Sequence, residues 1–250
     1  MIIDLFSPEH LILFATAYFI AALVKGLTGL GFSTTALAIL ALFIGVKPAL
    51  PLMLIPSLVS NVLVMVDAGH FYSVTRRFWP LYLATIPGVV IGLGTLSLIS
   101  PTLAAAILGC VLIIYGLFAL SKPGFALSGR LERRLAIPTG ILTGIVNGMT
   151  GSQVMPVLPY LMALRLAPDQ FVQAINISFS LCSLVMAAGL AGLGWITQEA
   201  VLISIFGLVP MFVGLKIGTV VRRRLSIGLF RTLVLCLLII FGLLLIGKLI

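Results

Sequence analysis

Two glycine- and threonine-rich phrases carry the chemistry that this chain can do. The first reads Lys25-Gly26-Leu27-Thr28-Gly29-Leu30-Gly31-Phe32-Ser33-Thr34, and the second reads Asn147-Gly148-Met149-Thr150-Gly151-Ser152-Gln153. Glycine lets a backbone turn sharply and lets a ligand approach its N–H groups. A helix that starts after such a break offers unpaired N–H donors and the positive end of its dipole. The hydroxyls of Thr28, Ser33, Thr34, Thr150 and Ser152 add donors. Two such breaks facing each other would suit a small oxyanion. The plainer reading is that these glycines and threonines only permit close helix crossing.

Lys25 is the sharpest single residue, because no other charge comes after Glu9 and His10 in the first two apolar segments. Deep in a membrane a charge is costly and marks function. Lys25 either offsets the charge of a bound anion or snorkels to the surface. Asn147 stands in its place in the second phrase, so any site is asymmetric. Asn61 and Asn176, on the third apolar segment of each half, have amides that can donate to an anion or tie helices together. Lys216 lies nearer a basic segment end and reads as snorkelling.

The phrases are 122 residues apart, counted from Gly26 to Gly148, which is close to half of the 250-residue chain. A second echo pairs Leu112–Leu117 with Leu238–Leu243, 126 residues apart from Gly116 to Gly242. Composition says what surrounds them: 61% of residues are hydrophobic and 8% charged. Soluble domains carry about 25% charged residues, so this is an integral membrane protein. Its apolar stretches are long and continuous, which favours an all-α bundle over a β-barrel.

The chain divides into ten apolar segments. They run over 10–24, 30–46, 49–66, 79–99 and 102–121, then 135–149, 152–166, 170–196, 199–221 and 228–249. The halves are 1–121 and 135–250, joined by a polar linker at 122–134. Arg76-Arg77, then Lys122, Arg130, Arg133 and Arg134, then Arg165, then Arg222-Arg223-Arg224 all come after odd-numbered segments. Ten crossings therefore put every basic cluster on one side, the cytoplasm, with both termini outside. Merging the first two segments of each half would give eight crossings and split the clusters between sides. An odd number of segments per half makes the second repeat inverted relative to the first, the design that lets two halves rock about a midplane site. The first two segments of each half are short, about 15–17 residues, so each pair is expected to form a hairpin with its tip, 25–33 or 147–153, inside the bilayer. Trp79 and Trp195 are expected as interfacial anchors, and Asp169 as a cap for a helix beginning at Gln170.

The net charge of +9 sets orientation and touches anionic lipid, and no nucleic-acid partner is implied. Cys110, Cys182 and Cys236 read as packing residues, and His10 and His70 make no metal motif. No cofactor or metal is expected. No secretory signal peptide is evident. No carboxylate sits at a segment centre, which argues against a proton relay and against a divalent-metal carrier. An integral membrane enzyme would need a nucleophile–base pair at depth. His70 and Asp67 lie at an edge, so no enzyme is expected.

The two phrases resemble the TauE/SafE family of sulfite exporters, also called TSUP. The match rests on Lys25–Gly31, its second copy at Asn147–Gln153, and two hydrophobic halves over essentially the whole chain. The resemblance implies export of sulfite or a related small sulfur-containing or organic anion across a bacterial inner membrane. Uptake of an organic sulfur anion is the alternative, and a homodimer is left open. The expected substrate-binding residues are Lys25, Gly26, Thr28, Gly29, Gly31, Ser33, Thr34, Asn61, Asn147, Gly148, Thr150, Gly151, Ser152, Gln153 and Asn176. Ser152-Gln153 stand opposite Leu30-Gly31, a departure from the glycine pattern that bears on the substrate.

Overall fold

The computed structural model describes residues 5–121, 126–222 and 227–248. Lys122, Arg223 and Arg224 of the expected basic clusters lie outside the described residues. The described residues form eleven helices and no strand. They are α1 (Pro8–Thr28), α2 (Phe32–Ile44), α3 (Val46–Ala68), α4 (Phe71–Leu98), α5 (Pro101–Ser121), α6 (Gly129–Thr150), α7 (Val157–Ala163), α8 (Pro168–Gly192), α9 (Gln198–Phe206), α10 (Leu208–Arg222) and α11 (Ile227–Gly247). Among the described residues six stretches are long and apolar enough to cross a membrane: α1, α3, α4, α5, α8 and the α9–α10 pair. Leu98, Val66, Phe206 and Phe43 are among the large apolar side chains left exposed on the bundle. Such an apolar belt is what hydrocarbon accepts and water does not.

Four boundaries differ from the sequence expectation. α1 and α6 run for 21 and 22 residues, so neither is short. Both continue through the glycine that was expected to break them. Gly26 and Gly148 stay helical because each fills a helix crossing, against Gly218 of α10 and Gly92 of α4 respectively. Second, the expected segment 152–166 is helical only over Val157–Ala163, since Pro156 and Pro159 cannot donate backbone hydrogen bonds. Third, 199–221 is interrupted at Gly207. Pro210 has no N–H for the carbonyl of Phe206, and Gly207 sits against the ring of Tyr18. Fourth, α4 begins at Phe71, so exposed Trp79 lies within the helix and not at its end. A smaller difference is that α8 starts at Pro168, with Asp169 in its first turn and Ala167 as the cap.

The most extensive packing joins the two halves: α4 with α6, α1 with α10, α5 with α11, and α3 with α8. Small residues permit this. Gly140, Gly144 and Gly148 of α6 meet the carbonyls of Leu81, Thr85 and Val89 in order, so α6 and α4 run parallel. Gly214 and Gly218 of α10 meet those of Phe19 and Leu23, so α10 and α1 also run parallel. Gly109 and Gly116 of α5 meet Gly242 and Ile239 of α11 in the reverse order, so that pair is antiparallel. Backbones this close gain dispersion contacts that lipid tails cannot match.

Proline frees backbone groups that the fold then uses. Pro56 of α3 cannot bond the carbonyl of Leu52. That carbonyl instead accepts from Tyr18 Oη at 2.8 Å and from Ser204 Oγ at 2.7 Å. α1 and α9 are thereby pinned to α3 one turn before Pro56. At one end of the bundle Arg77 pairs with Glu132 at 2.8 and 3.0 Å. At the other, Lys47 donates to the carbonyl of Ile99 at 2.8 Å and lies 5.6 Å from the ring centroid of Trp195.

A methyl group added at a crossing has no room, whereas Gly94 has nothing within 4 Å of an added Cβ. Gly144→Ala is therefore expected to cost about 1–3 kcal/mol and to lower the melting temperature in detergent. Gly94→Ala is expected to leave it unchanged or raise it slightly. Thermal unfolding followed by circular dichroism compares the two.

Candidate functional site

Each repeated phrase closes its helix with the same cap. Gly29 and Gly151 adopt φ of 80° and 70°, a left-handed conformation that glycine takes without penalty. Their N–H groups bond back to the carbonyls of Lys25 and Asn147 at 2.7 and 2.6 Å. Thr28 Oγ1 bonds the carbonyl of Val24 at 2.9 Å, and Thr150 Oγ1 bonds that of Val146 at 2.6 Å. Each threonine hydroxyl then accepts from the N–H two residues on, Leu30 or Ser152, at 3.2 Å. The two threonines are thus mainly helix caps.

Beyond the caps the two copies diverge. After the first, Gly31 (φ 89°) is the N-cap of α2, and it has no side chain to cover the first N–H groups. After the second, residues 152–156 precede the seven-residue α7. The second helix therefore starts later after its tip than α2 does after the first, with Pro156 as its cap and Pro159 in its first turn. The donors of the second tip are side chains.

Those side chains meet the first tip. Ser33 Oγ lies 3.2 Å from Gln153 Oε1 and 2.5 Å from Ser57 Oγ. Thr34 Oγ1 lies 3.4 Å from Ser152 Oγ. Gln153 Nε2 donates to Ser183 Oγ at 2.8 Å and to the carbonyl of Phe179 at 3.1 Å. Ser60 Oγ donates to the carbonyl of Ser57 at 2.8 Å. The next partner of Ser60 is Lys25.

Lys25 is 1% exposed and has no carboxylate partner among the described residues. Its ammonium donates to Ser60 Oγ at 3.2 Å, to Asn176 Oδ1 at 3.2 Å and to Asn61 Oδ1. Three neutral oxygens take its three hydrogens. Lys25 does not snorkel; it ties α1 to α3 and to α8 of the other half. A continuous polar seam therefore runs Ser183–Gln153–Ser33–Ser57–Ser60–Lys25, ending on both asparagines. Asn61 Nδ2 is buried beside the ammonium with no hydrogen-bond partner among the described residues. Asn176 spends an N–H on the carbonyl of Val172 at 2.8 Å.

Of the expected residues, the seam gathers Lys25, Ser33, Asn61, Gln153 and Asn176, with Thr34 and Ser152 alongside. Gly26 and Gly148 do not join it; they belong to the helix crossings. Asn147 is buried, and among the described residues its Oδ1 has no partner and no bond links it to the seam. Ser57, Ser60 and Ser183 are readable in the sequence only as helix glue, yet they complete the chain. Sequence reasoning misses Gln173, which is fully buried with neither amide atom hydrogen-bonded among the described residues. A glutamine inside an apolar segment is the signal that could have found it.

The other face of the first tip opens on a cavity of about 380 Å³. Thr28, Gly31 and Thr35 line it together with Leu158, Leu161, Met162, Arg165 and Phe171. Ser33 and Thr35 are two residues apart on a helix and so point to nearly opposite sides. The first turn of α2 stands between the cavity and the seam.

The family model of the sulfite exporters TauE/SafE matches residues 14–245, nearly the whole chain. The chain belongs to the TauE/SafE family. That makes it a multi-pass membrane protein of a transporter family. Comparison with curated proteins and with solved structures gives no match.

Gln153 bonds both tips and α8 at once. Gln153→Leu is expected to strand the hydroxyls of Ser33 and Ser183 and the carbonyl of Phe179. The loss should be about 1–3 kcal/mol of stability, read as a lower melting temperature of the purified protein.

Proposed function

We propose that the protein exports sulfite or a related small anion by alternating access, with the seam at Lys25 holding the substrate. The observation that carries this reading is the buried ammonium, which has only neutral acceptors. An unpaired charge in low dielectric is costly. An oxyanion that replaces one neutral acceptor converts an ordinary hydrogen bond into a charge-assisted one, roughly twice as strong. Asn61 Nδ2, without a partner, supplies a second donor at the same place. Substrate and protein thereby neutralise each other at depth.

The packing supports two inverted repeats. α1 with α10 and α6 with α4 are corresponding pairs, and each runs parallel. α5 and α11 also correspond, and they run antiparallel. Helices that alternate in direction along the chain produce this pattern when the second half is inverted, with divisions at 1–121 and 135–250. Arg77 and Arg165 mark the basic end, which we assign to the cytoplasm of a bacterial inner membrane. The termini then face outside. An interior-negative potential drives anion exit by about 2.3 kcal/mol per charge per 100 mV. No carboxylate relay is needed.

Sulfite flux into proteoliposomes tests the site. Lys25→Ala is expected to lower apparent affinity at least about tenfold, as for loss of a buried charge partner. Exposed Lys216→Ala is expected to stay close to the wild type. Equal flux by the two variants removes Lys25 from the site. Asn176→Asp gives the ammonium an internal counter-ion, so it is expected to depress sulfite binding while the protein stays folded. Undiminished binding by that variant contradicts charge neutralisation as the basis of recognition.

A further inference from the structure

The free charge of the basic end gathers where α4 and α6 begin. These helices run parallel, so both present their N-terminal ends there. Neither end is closed by a side-chain cap. Arg76 and Arg77 lie in the second turn of α4, and Arg130, Arg133 and Arg134 in the first two turns of α6. Glu132 is the only acidic residue between Asp67 and Asp169. Arg77 occupies both of its oxygens, at 2.8 and 3.0 Å, and so sets the two helix ends at one height. Arg76, Arg130, Arg133 and Arg134 are exposed and have no ion pair among the described residues.

The charge leads into an apolar groove. α8 covers one side of the α4–α6 crossing, where Tyr82 Oη donates to the carbonyl of Ala174 at 3.1 Å. The other side is open. By helical period, Arg76 of α4 stands in line with exposed Pro87 and Ile91, and Arg134 of α6 with exposed Ile137 and Pro138. Gly88, Gly140 and Gly144 hold the two helices side by side. Each track therefore starts with arginine and turns apolar as it enters the bilayer.

We propose that this groove binds an anionic phospholipid with two phosphates, of the cardiolipin class. Basic pockets between helices at a membrane face suit such headgroups. The phosphates accept from the four free guanidinium groups, whose planar forks fit phosphate oxygens. The acyl chains lie along the apolar tracks. A single phosphodiester brings one negative charge against four positive ones, and a free phosphate leaves the groove unfilled. The site is separate from the seam at Lys25 and does not depend on what is transported. It adds a lipid partner at a joint between the halves, because α4 belongs to the first and α6 to the second.

The test titrates the full-length protein in detergent with tetraoleoyl cardiolipin, dioleoyl phosphatidylglycerol and dioleoyl phosphatidylcholine, with bound lipid counted by native mass spectrometry. Cardiolipin is expected to bind at least about fivefold more tightly than phosphatidylglycerol, and phosphatidylcholine more weakly still. Arg130→Gln and Arg134→Gln should each weaken cardiolipin about fivefold, and the double variant about thirtyfold. Arg165→Gln, at the same end but outside the groove, should bind as the wild type does. Circular dichroism checks that each variant is folded, and the single variants carry the test should the double one fail to fold. Equal affinity for cardiolipin and phosphatidylglycerol overturns the proposal. So does an equal loss in Arg165→Gln and Arg134→Gln, which would mean diffuse attraction to a charged face. Displacement of cardiolipin by inorganic phosphate at the same concentration also overturns it, since the groove would then contribute nothing.

Discussion

An ammonium group in the middle of an apolar bundle needs three acceptors, and the fold is arranged to supply them. Lys25 receives oxygens from Ser60, Asn61 and Asn176. Two of these come from α3 in its own half and one from α8 in the other. The charge is therefore satisfied only when the halves are assembled. Among the described residues the one ion pair is Arg77 with Glu132, on the rim with side chains 45% and 19% exposed. Water and bundle-end groups can screen that pair. Nothing comparable screens Lys25, whose three partners are all neutral.

Such a seam requires backbones to come close, and the glycines provide that approach. Gly26 of α1 lies against Gly218, one residue from Lys25. The crossing that fixes the height and rotation of α1 thus also aims the lysine. Gly148 does the same for Asn147 against Gly92. The plain packing reading of these glycines is correct, and it is also what makes the polar reading of their neighbours possible. Pro56 acts in a similar way on α3. It releases the Leu52 carbonyl to Tyr18 and Ser204, which holds the segment carrying Ser57, Ser60 and Asn61 against α1 and α9.

Much of this was legible in the sequence because lipid makes polar residues conspicuous. Lys25, Asn61 and Asn176 stand out from apolar segments, and the structure brings the three together. The repeated Thr-Gly was legible as a break, and both copies close a helix in the same way. The ends of the breaks were not legible. Gly26 and Gly148 read as either break or packing residues until their crossing partners are known, because glycine serves turns and tight packing equally. The shortness of α7 was readable in Pro156 and Pro159 but was outweighed by the apolar run around them. Thr35 could not be separated from Ser33 and Thr34 by residue type. Only the rotation of α2 decides that Ser33 faces the seam and Thr35 the cavity, and a helix hydrophobic on all sides gives no periodic clue to rotation.

That rotation also decides how the cavity and the seam can communicate. Both are built on the first turn of α2, and the bonds that tie this turn across to the second tip are few. Ser33 to Gln153 at 3.2 Å and Thr34 to Ser152 at 3.4 Å are bonds between neutral groups. Neutral hydrogen bonds each contribute about 0.5–1.5 kcal/mol net. The bonds around Lys25 are charge-assisted and stronger, and they join α1, α3 and α8 without involving α2. The first turn of α2 is itself held to α3 by Ser33 to Ser57 at 2.5 Å and by the burial of Phe32 and Leu37, so only its ties to the second tip are weak. The seam thus divides into a part gathered around the amine of Lys25 and a part built from neutral hydroxyl and amide groups.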